Sequence, residues 1–96
     1  MSARVLTVLG ATGTIGVNTL NVVAQHPGRF EIFALTGATQ VERLFQQCVQ
    51  FRPKFAVMQT AEDAQVLRDQ IKHARLSTEV LHGETALSEV ATATEV

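Results

Sequence analysis

Three glycines fall within one seven-residue stretch, Gly10-Ala11-Thr12-Gly13-Thr14-Ile15-Gly16. The apolar run Val5-Leu6-Thr7-Val8-Leu9 precedes it, and a helical pattern opening at Thr14 follows. Strand, glycine-rich turn and helix in that order make a dinucleotide-phosphate site. The glycines let the turn be tight and let a pyrophosphate approach the backbone, while the helix N-terminus offers unpaired N–H donors and a positive dipole end. The spacing is G-x-x-G-x-x-G rather than G-x-G-x-x-G. Its weight comes from the strand before it and the helix after it; a plain strand-to-helix turn that binds nothing is the competing reading.

The remainder of the chain alternates strand and helix. Arg4 to Leu9 reads as a strand buried on both faces, because its apolar run is nearly continuous. Thr14 to Gln25 reads as a helix stopped at His26-Pro27-Gly28. Glu31 to Thr36 is a second strand. Gln40 to Phe51 is a second helix, with Val41, Leu44, Phe45, Cys48 and Phe51 forming one apolar stripe. Thr39 with Glu42 predicts a capping box at its start, and Arg52-Pro53 ends it. Lys54 to Met58 is a third strand, Thr60 caps a third helix that runs to about Lys72, Thr78 to His82 is a fourth strand, and Glu84 to Ala91 a last helix. The fold class expected is α/β: a Rossmann-like parallel sheet with flanking helices and right-handed crossovers. No strand is evident on the far side of the first one, where a dinucleotide crevice closes. Thr94-Glu95-Val96 reads as the approach to a further strand, so the chain is expected to be a truncated, N-terminal piece of a larger protein.

Composition narrows the partners. The 96 residues carry 8 basic and 9 acidic side chains, for a net charge of −1, without a run of like charge that would suit nucleic acid or a membrane surface. There is no Trp or Tyr to build a base-stacking platform, and the single cysteine, Cys48, excludes an internal disulfide and fits a reducing compartment. With neither a signal-peptide layout nor a membrane-length apolar run, the expected location is the cytoplasm.

An NAD-type site places a carboxylate about 20 residues beyond the glycines, where it binds the ribose 2′-hydroxyl. That count from Gly16 reaches Thr36, and the following Gly37-Ala38-Thr39-Gln40 holds no acid. The absence leans toward NADP. No Arg or Lys stands there either; Arg43, one helical turn into the second helix, is the nearest base. Thr39 and Gln40 read either as phosphate donors or as a simple helix cap. Cys48 sits on the apolar stripe and reads as a buried thiol, and Glu62-Asp63 read as acids favouring a helix dipole. His26, His73 and His82 have no metal-like spacing. The residues offer a cofactor cradle and no catalytic group.

The segment Gly10-Ala11-Thr12-Gly13-Thr14-Ile15-Gly16-Val17-Asn18-Thr19-Leu20 resembles the G-[SA]-T-G-[ST]-I-G-x-x-T-L signature of 1-deoxy-D-xylulose 5-phosphate reductoisomerases. Three more segments are similar to that family in order and spacing. They are Asn21-Val22-Val23 with His26-Pro27 and Phe30, Gln47-Cys48 with Phe51 to Met58, and Glu79-Val80-Leu81-His82-Gly83.

The resemblance implies an NADPH-dependent reductive rearrangement of 1-deoxy-D-xylulose 5-phosphate, a sugar phosphate, to 2-C-methyl-D-erythritol 4-phosphate in non-mevalonate isoprenoid biosynthesis. It implies a homodimeric parent that uses Mg or Mn. It implies cofactor binding by Thr12, Gly13, Thr14 and Ile15, and by Gln40 in place of the Asn of the family's G-[KR]-N triplet, with Thr39 lacking the cation. The family's metal ligands, a D-S-E stretch and a later Glu, have no counterpart here. Residues 1–96 are thus expected to be the N-terminal part of an NADPH-binding domain, without the catalytic and C-terminal domains and inactive alone. Two alternatives remain at this point: a segment of another G-A-T-G-x-x-G enzyme, such as an atypical short-chain or semialdehyde dehydrogenase, and a non-enzymatic nucleotide-binding module.

Overall fold

The computed structural model describes residues 4–26 and 28–92. Pro27, expected to stop the first helix, and the 94–96 segment, expected to approach a further strand, lie outside the described residues. The elements alternate along the chain: β1 (Arg4–Val8), α1 (Thr14–Gln25), β2 (Phe30–Thr36), α2 (Val41–Phe51), β3 (Phe55–Met58), α3 (Ala61–His73), β4 (Glu79–His82) and α4 (Gly83–Thr92). All pairings are parallel, and the order β1-β2-β3-β4 steps in one direction.

Right-handed crossovers that step one way put successive helices on one face. The core agrees. Leu20 and Val23 of α1, Leu44 and Cys48 of α2, and Ala64, Leu67 and Ile71 of α3 meet Val8, Ile32, Leu35, Ala56, Met58 and Val80 of the sheet in one buried cluster. On each helix those residues recur at spacings of three and four, the period that makes a single buried stripe. The opposite face is thinner: Ala34 and Val57 are buried there beneath Phe33, Phe55, Leu81 and Ala86 of α4. The register of β1 on β2 shifts between Leu6 and Thr7, leaving Phe33 as an extra residue in β2. Phe33 packs edge-on against Phe55, ring centres 5.2 Å apart.

Two expectations need correction. β1 is buried on both faces only at its carboxyl end: Thr7 and Val8 are buried, Val5 is exposed, and Leu9, expected within the strand, lies in the turn and is exposed. It is an edge strand of this sheet, and α4, the helix on the sheet's opposite face, packs on β3 and β4. The capping box at α2 does not form either. Gln40, not Thr39, is the N-cap, with no side-chain capping bond. The remaining boundaries shift by a residue or so at element ends. No helix among the described residues is long and apolar enough to cross a membrane.

Candidate functional site

The turn between β1 and α1 is held from three directions. Gly10, at φ +64°, turns the chain where a side chain would be strained. Its N–H donates to Thr36 Oγ1 at 2.8 Å, and the Ala11 N–H donates to the Thr36 carbonyl at 2.6 Å. Thr36, the position counted for a ribose-binding acid, is therefore buried and committed to the turn. Within the turn, the Gly13 N–H donates to the Gly10 carbonyl at 2.9 Å. From α2, Gln47 Nε2 donates to the Ala11 carbonyl at 2.7 Å, and Arg43 Nη1 reaches the Thr12 carbonyl at 3.5 Å. The other amide atom of Gln47, Oε1, is buried without a partner.

α1 begins with its donors open. The first helical bond runs from the Val17 N–H to the Gly13 carbonyl at 2.9 Å, so the N–H groups of Thr14, Ile15 and Gly16 have no intrahelical acceptor. Gly13 is the N-cap and supplies no capping side chain, and no acid lies in the first turn. Thr14 and Ile15 are exposed, Ile15 to 83%. The Thr12 side chain is turned inward, 6% exposed, so its offer to a ligand is its backbone N–H.

The glycines divide by cause. A Cβ on Gly16 would lie 2.2 Å from the Gly10 carbonyl oxygen, so the fold itself forbids a side chain there. A Cβ on Gly13 would meet nothing closer than that same oxygen at 3.4 Å, and its φ of −82° suits any residue. The protein does not need Gly13 to be glycine; a group lying against the turn would.

Beside the turn, at the carboxyl ends of β1 to β4, lies a cleft of about 350 Å³ lined by Gly10, Thr36, Gly37, Ala38, Val57, Met58, Gln59, Gly83 and Glu84. This is where ligands bind in open parallel sheets, and the size suits a small-molecule site. Its rim is fixed by the Gly37 N–H on the Val57 carbonyl at 2.9 Å and the Gln59 N–H on the Ala38 carbonyl at 3.2 Å. Gln40 stands exposed just beyond this loop, at the start of α2. The structure thus brings Thr12, Gly13, Thr14 and Ile15 into one turn and puts Gln40 on the neighbouring loop. Residue patterns gave no sign of Thr36, Arg43 or Gln47 as holders of that turn.

Cys48 is fully buried, and burial pushes its thiol up to about 12, so it stays protonated and unreactive at neutral pH. Among the described residues no three His, Cys, Asp or Glu side chains converge to hold a metal ion.

The sequence profile of the 1-deoxy-D-xylulose 5-phosphate reductoisomerase family matches residues 6–96. Among proteins of that name, the one from Nitrosomonas europaea is 50% identical over 93 residues, covering 97% of this chain and 22% of its own length. The one from Laribacter hongkongensis is 58% identical over 86 residues, covering 90% of this chain and 22% of its own length. A crystal structure of DOX-P reductoisomerase in complex with NADPH, fosmidomycin and magnesium superposes with a TM-score of 0.90 at 35% identity, over 96% of this chain and 23% of that one. The Zymomonas mobilis enzyme in complex with NADPH superposes with a TM-score of 0.86 at 34% identity, over 93% of this chain and 23% of that one. The chain thus spans a little under a quarter of the length of the proteins it matches.

Proposed function

The chain belongs to the 1-deoxy-D-xylulose 5-phosphate reductoisomerase family, and on that premise we propose that residues 1–96 are the N-terminal part of an NADPH-binding domain. Membership sets aside the short-chain, semialdehyde and non-enzymatic alternatives. The observation that carries the proposal is the open N-terminus of α1: no capping side chain, no acid in its first turn, and a Gly13 whose missing side chain the fold does not require. Such a terminus suits a phosphate, which takes N–H donors and favours the positive end of the helix dipole.

In this reading the N–H groups of Thr12, Thr14 and Ile15 hold the cofactor phosphates, and Gly13 leaves room for them. Gln40 contacts the adenosine side from α2. Thr36 and Gln47 keep the turn rigid, so its donors are aimed before the ligand arrives and little ordering is needed on binding. NADPH, when bound, supplies the hydride for reduction of the rearranged sugar phosphate. The reductoisomerase reaction, with its sugar-phosphate substrate and its Mg or Mn, belongs to the longer protein, read from the family as a cytoplasmic homodimer. The share of this chain is cofactor placement, and no turnover is expected from it alone.

The test is a titration of the isotopically labelled chain with NADPH and NADH, followed by backbone amide NMR. Shifts concentrated at Thr12 to Gly16 and at Gln40, larger for NADPH, are the expected outcome. A folded chain whose turn amides stay unmoved at saturating nucleotide would sink the reading.

A further inference from the structure

Discrimination between NADPH and NADH rests on one phosphate, and on this chain the obvious places to read it are empty of charge. Thr36 is buried and spent on the turn, and residues 37–40 hold no ionisable side chain. Because the sheet is parallel, every strand starts at one edge and ends at the other. The basic residues are sorted by that geometry. Arg4, Arg29, Arg52 and Lys54 stand at strand starts, and Lys72 and Arg75 at the end of α3 that leads into the start of β4. Arg68, midway along α3, is bonded to Gln65 and to the Val80 carbonyl. Among the described residues, Arg43 is the one lysine or arginine at the carboxyl edge; it lines the groove between α1 and α2, beside the cleft rather than within it.

Its guanidinium also reaches the phosphate turn from an element that begins at the loop after β2. It projects from the first turn of α2, next to Gln40, and reaches the Thr12 carbonyl of the phosphate turn at 3.5 Å. That contact is at the outer limit of a hydrogen bond and occupies one of five donors. Gln47, one helical turn further on the same face, fixes the turn beside it at 2.7 Å. Among the described residues no carboxylate pairs with Arg43; Glu42, its chain neighbour, faces another direction on the helix. The result is a cation held loosely against the phosphate turn, three residues beyond Gln40.

We propose that Arg43 is the specificity-determining residue of this chain, donating to the 2′-phosphate of NADPH. The proposal rests on the cofactor reading above and deepens it. A charge-assisted contact of this kind is worth roughly 10- to 100-fold in affinity. NADH, with a hydroxyl at that place, gains nothing comparable from it.

The test uses the chain and its Arg43→Gln and Arg43→Lys variants, with NADPH and NADH titrated separately by calorimetry and folding checked by circular dichroism. Arg43→Gln is expected to weaken NADPH by roughly 10- to 100-fold and NADH by less than about threefold. Arg43→Lys keeps the charge and should recover part of the difference. Gln47→Leu supplies the contrast, since it loosens the turn without removing charge. If Arg43→Gln weakens both nucleotides alike, as a loosened turn would, Arg43 is only a strut and the proposal is wrong. If the unaltered chain binds both nucleotides equally, the proposal fails while the cradle stands. If the unaltered chain binds neither, the cradle reading fails and takes this one with it.

Discussion

α1 and α3 both start at the carboxyl edge of the sheet, and their first turns are built in opposite ways. α3 answers its own ends. Thr60 Oγ1 accepts from the Asp63 N–H at 3.2 Å, Glu62 and Asp63 lie in the first turn, and Lys72 and His73 in the last. α1 has none of this: no capping bond, no acid in the first turn and no base in the last. A cap is worth about 1 kcal/mol, and charges matched to the dipole add about 0.3–1 kcal/mol each. α3 takes that stabilisation from local sequence. α1 forgoes it and is held by burial of Gly16, Leu20 and Val23. The difference teaches where to look: α2 also lacks a side-chain capping bond but carries Glu42 in its first turn, whereas the start of α1 has neither cap nor acid, as the proposed phosphate site requires.

The two glycines of the α1 turn provide the severest test of that contrast. Gly16→Ala drives a Cβ to 2.2 Å from the Gly10 carbonyl oxygen and 2.6 Å from Ala11 Cα, both backbone atoms that cannot swing aside. A loss of about 3 kcal/mol or more is expected, read from the urea denaturation midpoint. Gly13→Ala should cost less than about 1 kcal/mol by the same measurement, since its φ of −82° and its surroundings accept a methyl group. NADPH affinity is expected to fall about tenfold all the same, because the methyl group projects where a phosphate would lie. Equal destabilisation by the two variants would make Gly13 a fold glycine and break the contrast.

The same pair of helix starts marks what could be read from residues alone. Thr60 with Asp63 and Thr39 with Glu42 carry similar local signatures, and only the first becomes a cap. At α2 the entry is set by long-range bonds, the Gly37 N–H to the Val57 carbonyl and the Gln59 N–H to the Ala38 carbonyl, which leave Gln40 as N-cap. Strand and helix order was legible because periodicity, prolines and glycines act within a few residues. The glycine turn was legible for the same reason. Thr36, Arg43 and Gln47 were not: they meet the turn across 26, 31 and 36 residues, and nothing beside them in sequence signals it. The exposure of Val5 follows from the place of β1 in the sheet, which a strand's own composition does not encode.

Thr60→Ala examines the closed helix start. Removing the hydroxyl that accepts from Asp63 is expected to lower stability by about 1 kcal/mol, seen as a lower denaturation midpoint. NADPH affinity should not move. A drop in affinity would mean that α3 belongs to the binding surface, and the division between a closed and an open start would be wrong.

Ile15→Glu asks whether the open start can be closed, and it carries the smallest expected change in stability. Ile15 is 83% exposed, so the substitution gives up almost no burial. It puts a carboxylate in the first turn of α1, where the dipole favours it by about 0.3–1 kcal/mol. The denaturation midpoint should therefore rise slightly. NADPH affinity should fall about tenfold or more, because the new charge sits where the phosphates are to bind and repels them. Salt would screen part of that repulsion, so the loss should shrink as ionic strength rises. Opposite movement of stability and affinity in one variant is the signature of a terminus reserved for an anion. If the chain gained stability and bound NADPH as before, the phosphates would have to lie elsewhere, and the bare start of α1 would be a local economy of sequence with no ligand behind it.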